Sequence, residues 1–66
     1  MEVIANGRPL QMPDGATVAD LLTSLDLAGR VVVVERNGEP VERSRVATEI
    51  LTTGDRLEVV RAVAGG

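Results

Sequence analysis

The chain has 66 residues and carries ten acidic and seven basic side chains, for a net charge of −3. A chain of this length forms one domain, which buries only about 60% of the surface that its unfolded form exposes. Cysteine, histidine and aromatic residues are all absent. These absences exclude a disulfide framework, the commonest metal ligand and general base, and aromatic platforms that stack single-stranded nucleic acid.

The charge balance and the apolar runs indicate the compartment and the class of partner. A negative net charge disfavours nucleic acid and anionic membranes as partners. The longest apolar run, residues 31–34, is far shorter than the roughly 20 residues that a membrane span needs, and the chain opens without the basic region of a signal peptide. We therefore expect a cytoplasmic protein that binds neither nucleic acid nor membrane.

The first predicted element is a β-hairpin. Residues 1–6 alternate between two faces as a strand does. Asn6-Gly7 predicts a type I′ turn, because both central residues of that turn need a positive φ. The return strand, residues 8–12, contains Pro9, which has no N–H and therefore indicates the edge of a sheet.

A short amphipathic helix is predicted from residue 17. Its apolar side chains recur at helical spacing: Val18, Leu21, Leu22 and Leu25. Thr17 predicts an N-cap, with Asp20 as its reciprocal capping partner. Gly29 predicts the end of the helix, because glycine readily adopts the left-handed conformation of a C-terminal cap. A helix of about ten residues is too short to be stable alone, so it must pack on other elements.

A second hairpin is predicted after the helix. Four consecutive valines at residues 31–34 favour a strand that is covered on much of both faces. Asn37-Gly38 repeats the type I′ turn signal. The short return strand, residues 39–42, contains Pro40 and is again typical of a sheet edge.

The remaining segments complete an α+β fold. We expect irregular structure or a single helical turn over residues 43–51, a turn at Thr53-Gly54-Asp55, and a last strand over residues 56–63. This order of elements predicts a mixed sheet of about five strands with one main helix packed across one face. The helix should contact these sheet positions: Met1, Val3, Val32, Val34, Leu57 and Val59.

The opposite face of the predicted sheet has an apolar surplus. Strand alternation places six side chains there: Ile4, Val31, Val33, Val60, Glu35 and Glu58. They are either scattered surface residues, which small proteins tolerate, or an apolar patch rimmed by charge, which usually binds a protein partner. In the second interpretation the patch lies close to the point where the C-terminal tail leaves the sheet.

The chain ends in Ala62-Val63-Ala64-Gly65-Gly66. One interpretation is an ordinary frayed terminus. The other rests on glycine having no Cβ, since a tail ending in two glycines can enter a narrow channel and place its carboxylate inside another protein. In a chain without cysteine or histidine, that carboxylate is the group best suited to chemistry.

An enzyme is not expected. Carboxylate pairs such as Asp14 with Asp20, or Glu39 with Glu42, are interpreted as solvated surface charges. A domain this small has little room for a substrate cleft of several hundred cubic ångströms.

The whole chain resembles a known family. The resemblance is carried by these motifs: Asn6-Gly7, Thr17-Val18-Ala19-Asp20-Leu21-Leu22, Val33-Val34-Glu35-Arg36-Asn37-Gly38, Val41-Glu42-Arg43-Ser44, Thr53-Gly54-Asp55-Arg56-Leu57-Glu58-Val59-Val60 and Gly65-Gly66. In this order and spacing they are similar to the sulfur carrier proteins of bacterial thiamine biosynthesis, which are ubiquitin-like β-grasp domains. The departures are Glu42, where many members have proline, and Ala64, where many have glycine.

The resemblance implies a β-grasp domain at residues 1–62 and a flexible diglycine tail at residues 63–66. It implies that an ATP-dependent activating enzyme adenylates the Gly66 carboxylate. Sulfur from a persulfide donor or sulfurtransferase would then replace AMP, leaving a thiocarboxylate that supplies a thiazole synthase. ATP and Mg²⁺ would belong to the activating enzyme, while the chain itself would bind no cofactor and catalyse no reaction.

The same resemblance implies roles for individual residues. Gly66 would be modified, and access would depend on Gly65, Ala64 and Val63. The surface that docks the partners would comprise Ile4, Val31, Val33, Glu58, Val60 and Ala62. Two alternatives stay open within the fold, a carrier for molybdopterin synthesis and a carrier for tRNA thiolation. An alternative from another class is a β-grasp module that only docks on a larger protein and needs no free diglycine.

Overall fold

The computed structural model describes residues 1–62, and the predicted tail, residues 63–66, lies outside them. The elements in chain order are β1 (Glu2–Ala5), β2 (Arg8–Gln11), α1 (Val18–Ser24), β3 (Val32–Arg36), β4 (Glu39–Pro40), a 3-10 helix (Arg43–Arg45) and β5 (Arg56–Arg61). Within residues 1–62 the five strands form one sheet in the order β2-β1-β5-β3-β4. β1 and β5 run parallel and the other neighbours run antiparallel, which confirms the predicted mixed sheet.

Both predicted type I′ turns are present. Asn6 and Gly7 have φ angles of 50° and 80°, and Asn37 and Gly38 have φ angles of 52° and 84°. Turns of this type match the right-handed twist of the strands that they join. The strands that follow these turns, β2 and β4, lie at the two edges of the sheet. At an edge, the missing N–H of the proline in each strand costs no hydrogen bond between strands.

The start of α1 is confirmed as predicted. The Thr17 hydroxyl accepts a hydrogen bond from the Asp20 N–H (3.2 Å), and the Asp20 carboxylate accepts one from the Thr17 N–H (2.9 Å). This reciprocal capping box satisfies two backbone donors that a helix start leaves without partners.

The helix ends earlier than predicted. Its last residue is Ser24, so the prediction that Gly29 ends it is wrong. Asp26, with a φ of 60°, takes the left-handed position instead. The Leu27 N–H then donates to the Leu22 carbonyl (2.8 Å), and Leu27 packs against the core. Aspartate tolerates the left-handed conformation better than most residues, so this early stop needs no glycine.

Replacing Thr17 with alanine should lower the free energy of unfolding by about 1 kcal/mol, because the Asp20 N–H loses its acceptor. Urea denaturation followed by far-UV circular dichroism measures this loss. Thr23→Ala is the matched control, since the Thr23 hydroxyl donates only to the Ala19 carbonyl one turn earlier (3.2 Å). Equal losses in the two variants would contradict the capping role of Thr17.

The core lies between α1 and one face of the sheet. It contains Val3, Ala5, Met12, Ala16, Val18, Leu21, Leu22, Val34, Leu51, Leu57 and Val59. The predicted strand positions are therefore confirmed, with Met1 and Val32 packing against this cluster as partly buried neighbours. Leu51 was not predicted, because it lies in the segment expected to be irregular. Its N–H donates to the Ala16 carbonyl (2.8 Å), which brings that segment against the start of the helix.

Candidate functional site

The face of the sheet opposite α1 carries three exposed valines. Val33 and Val60 are direct cross-strand partners on β3 and β5, and they are 57% and 62% exposed. Val31 is 61% exposed and lies at the same end of the sheet, because its carbonyl accepts a hydrogen bond from the Ala62 N–H (2.9 Å). We call Val31, Val33 and Val60 the valine patch.

The exposure of these valines corrects one prediction. The run at residues 31–34 was expected to be covered on much of both faces. Val34 is buried and Val32 half-buried on the side of α1. The only α-helix within residues 1–62 covers that side of the sheet, so the side chains of Val31 and Val33 remain open to solvent.

Ile4 lies on the same face but outside the valine patch. It is half-buried, and its strand neighbours are Pro9 on β2 and Arg56 on β5. The Asn6 side chain holds β1 to β5 farther along, accepting from the Val59 N–H (2.7 Å) and donating to the Val59 carbonyl (3.2 Å). Ile4 is therefore a marginal member of the predicted docking surface.

Two carboxylates border the valine patch. Glu35 and Glu58 are direct cross-strand partners, two residues along each strand from Val33 and Val60. Both are exposed, and neither forms an ion pair with any residue from 1 to 62. Like charges directly opposite each other destabilise a strand pair. The valine patch thus has an acidic border.

The residues predicted to carry the chemistry lie outside the described residues. They are Gly66, Gly65, Ala64 and Val63. Ala62, the last described residue, is exposed and is hydrogen-bonded beside Val31. β5 and the described part of the chain therefore end beside the valine patch.

A buried polar cluster at the other end of β5 was missed by the sequence analysis. Asp55 is 5% exposed. Its carboxylate accepts hydrogen bonds from the Thr52 N–H (2.8 Å), the Thr52 hydroxyl (3.0 Å) and the Asn37 amide (3.0 Å). It also accepts from Arg36, whose Nη2 lies 2.8 Å from Oδ2. The spacing of Thr52 and Asp55 repeats that of Thr17 and Asp20, and this signal could have revealed the hydrogen bonds between Thr52 and Asp55 within the predicted turn.

The electrostatics of Asp55 follow from these contacts. Burial alone would raise the pKa of the Asp55 carboxyl. The hydrogen bonds from Thr52, Asn37 and Arg36 outweigh burial and hold the pKa below its ordinary value. Because Asn37 belongs to the β3–β4 turn and Asp55 precedes β5, the cluster fixes the register that places Val33 opposite Val60.

A metal site and a membrane-spanning helix find no support in the part of the chain that the structure describes. Residues 1–62 contain no group of three or more acidic side chains placed to hold a metal ion. None of the helical segments in that range is both long enough and apolar enough to cross a bilayer.

A mixed five-stranded sheet with one helix across one face and an apolar patch where the C-terminal strand ends defines a ubiquitin-like β-grasp domain. The chain matches the model of the ThiS family over residues 1–66. It therefore belongs to the ThiS family of sulfur carrier proteins. This membership confirms the predicted fold and the predicted function, a sulfur carrier of thiamine biosynthesis.

Three relatives show the extent of the similarity. The sulfur carrier protein ThiS of Bacillus subtilis is 37% identical over 62 residues, which cover 92% of this chain and 94% of the relative. The crystal structure of the thiamine biosynthesis protein ThiS from Geobacter metallireducens superposes with a TM-score of 0.82 at 32% identity, and the match covers both chains completely. A thiazole synthase of Paramagnetospirillum magneticum is 38% identical over 66 residues, and the present chain spans only 20% of its length.

Proposed function

We propose that the carboxylate of Gly66 is the group that carries sulfur. An activating enzyme transfers AMP from ATP to this carboxylate and releases pyrophosphate. A persulfide then attacks the acyl carbon, AMP leaves, and a thiol of the donor system reduces the acyl disulfide to a thiocarboxylate. The observation that carries this proposal is the family match over residues 1–66, which extends through Gly65-Gly66.

In this scheme the chain is a co-substrate and the catalysts are its partners. ATP and Mg²⁺ bind to the activating enzyme, the persulfide comes from a sulfurtransferase, and all of these act in the cytoplasm. A thiazole synthase accepts the sulfur. The similarity of this chain to a segment of a thiazole synthase supports that choice of acceptor. Nucleic acid and membrane have no part in the cycle, in keeping with the net charge of −3.

The valine patch is the proposed docking surface. Its apolar side chains lie beside Ala62, the residue that directly precedes residues 63–66 in the sequence. Glu58 and its neighbour Glu35 provide the acidic border for basic groups on the partner, and Ile4 contributes at the margin. Residues 63–65 act as the access segment that delivers Gly66.

The test is an intact-mass measurement. Incubating the protein with ATP, a ThiS-family activating enzyme, a persulfide donor and a thiol should raise its mass by roughly 16 Da, the difference between sulfur and oxygen. Omitting ATP is the control and should leave the mass unchanged. Stable binding of the activating enzyme without any mass gain would overturn the proposal in favour of a docking module.

Replacing Val33 and Val60 together with threonine should slow thiocarboxylate formation by roughly tenfold or more, because the docked state loses apolar burial. Threonine keeps the shape and the strand preference of valine, so the fold should be retained. Ile50→Thr is the matched control, since Ile50 is 57% exposed but lies outside the valine patch. The initial rate of mass gain is the measurement. An equal slowing by Ile50→Thr would contradict a local docking role.

A further inference from the structure

A groove of about 440 Å³ opens on the helix side of the sheet. It is lined by Gly29 and by these apolar side chains: Leu22, Val31, Val32, Val34, Val41, Val46 and Ala47. Arg30 and Arg43 also line it, so two guanidinium groups flank an apolar interior. The volume lies at the low end of the roughly 300–1,000 Å³ that is usual for ligand sites. The proposed sulfur chemistry does not account for this groove.

The backbone of β3 is open on the side that faces away from β5. The short edge strand β4 pairs only with Glu35 and Arg36. One further bond joins the Val41 N–H to the Val34 carbonyl (2.8 Å). The start of β3, at Val32, therefore has no strand partner on this side within residues 1–62.

The hydrogen-bond pattern shows which groups face the open edge. In an antiparallel ladder, residues alternate between bonding to one neighbour and bonding to the other. Val31 bonds toward the β5 side through the Ala62 N–H, and Asn37 does so through the Arg56 carbonyl. Val32 lies at the alternate position, so its own N–H and carbonyl point away from β5. An exposed strand edge of this kind can accept an added strand.

The charges at the groove indicate what could occupy it. Arg30 and Arg43 are exposed and form no ion pair in the part of the chain that the structure describes, whereas Arg36 and Arg45 both do. Two free cations beside an apolar groove complement apolar side chains flanked by carboxylates. A second copy of this chain would bring the same two cations to the contact, and like charges oppose such pairing.

We propose that this groove binds an extended segment of a partner protein in which apolar side chains are flanked by acidic ones. The segment adds to β3 beside Val32, fills the groove with its apolar side chains and places carboxylates on Arg30 and Arg43. Val32 lies on the opposite side of the sheet from Val33 and Val60, whereas Val31 belongs to the valine patch and also lines the groove. A segment bound in the groove therefore borders the patch at Val31 and leaves Val33 and Val60 open to another protein.

The test is an NMR titration of the ¹⁵N-labelled full chain. The probe is a blocked octapeptide of sequence Glu-Asp-Val-Val-Ile-Val-Asp-Glu. Saturable shifts are expected at the amides of residues 30–32 and 41–47. The double variant Arg30→Glu with Arg43→Glu should weaken binding by roughly tenfold or more. The matched control is Arg8→Glu with Arg56→Glu, which makes the same change in net charge and should alter binding by less than about twofold.

Two altered peptides separate the contribution of backbone hydrogen bonds to binding from that of the acidic side chains. N-methylation of alternate residues removes the N–H groups that pair with β3 and should abolish the shifts. Replacing the four acids with lysine should abolish them as well. Circular dichroism of each variant confirms that it is folded.

Several results would overturn the proposal. They are equal weakening in the two double variants, shifts centred on Val33 and Val60, undiminished binding of the lysine peptide, and no shifts at millimolar peptide. Shifts that depend on protein concentration without peptide would identify a second copy as the occupant and would also overturn it. The mass gain at Gly66 is measured separately, so failure here leaves the proposed sulfur chemistry untouched.

Discussion

Replacing Asp55 with alanine should bring the protein close to the midpoint of unfolding at room temperature. The carboxylate is 5% exposed and is the common acceptor for Thr52, Asn37 and Arg36. Removing it leaves the Thr52 N–H and the Asn37 amide, which both form partly buried hydrogen bonds, without their acceptor and weakens the pairing of Arg36, at a cost of about 3 kcal/mol. A core of this size supplies no more than about 3–5 kcal/mol in total.

Urea denaturation followed by far-UV circular dichroism measures the effect, since the chain has no tryptophan or tyrosine to report by fluorescence. Glu42→Ala is the control, because Glu42 is exposed and makes no capping hydrogen bond. Asp55→Asn, which keeps the shape and loses the charge, should fall between wild type and Asp55→Ala. If Asp55→Ala unfolds at the same urea concentration as the wild type, the cluster is not needed for stability.

The same carboxylate makes stability depend on acid. The pKa of Asp55 is lower in the folded protein than its ordinary value, so the folded state binds fewer protons than the unfolded state. This contribution to stability is therefore complete above about pH 4 and is lost as the pH falls through the folded-state pKa. The free energy of unfolding should drop over that acidic range, and the drop should be shallower in Asp55→Asn. If the free energy of unfolding falls with pH equally steeply in the wild type and in Asp55→Asn, other carboxylates cause the acid sensitivity.

Deleting Gly66 should abolish the gain of sulfur and leave the fold intact. The deletion moves the terminal carboxylate back by about 3.5 Å along an extended chain. A displacement of that size takes the acyl carbon out of line with ATP, and even smaller misplacements slow reactions by about 100-fold. The fold should persist, because the five strands and the core described above are formed by residues 1–62.

Intact-mass spectrometry after incubation with the activating enzyme, and a thermal melt by circular dichroism, test the two halves of this prediction. Ala64→Gly is the matched control, since it changes the tail without changing its length and should gain sulfur at least as fast as wild type. A full mass gain in the deletion variant would mean that another carboxylate is modified. No gain in the wild type would instead remove the proposed chemistry itself.

Local signals account for the parts of the fold that could be predicted. The Asn-Gly turns and the Thr17 cap each depend on a few neighbouring residues, so their sequence patterns suffice. The end of α1 could not be placed in the same way. Asp26 takes the left-handed position there, and that outcome depends on Leu27 packing back on the core, a tertiary contact with no local signature.

The candidate site was predictable only in part for a similar reason. Strand alternation was enough to place Val33, Glu58 and Val60 on one face. The Asp55 cluster and the groove each join segments that are distant in sequence, as in the hydrogen bond from Asn37 to Asp55. Such contacts depend on the order of the strands in the sheet. The sequences of β1 and β5 contain no pattern that predicts their parallel pairing.

The position of β5 in the middle of the sheet has a consequence during synthesis. Both hairpins, β1–β2 and β3–β4, are made before β5, and β5 is the strand that joins them. Val33 acquires its neighbour Val60 only when β5 has left the ribosome and paired with β3. The docking surface proposed above therefore exists only after β5 has paired with β3, and a chain truncated before β5 lacks it.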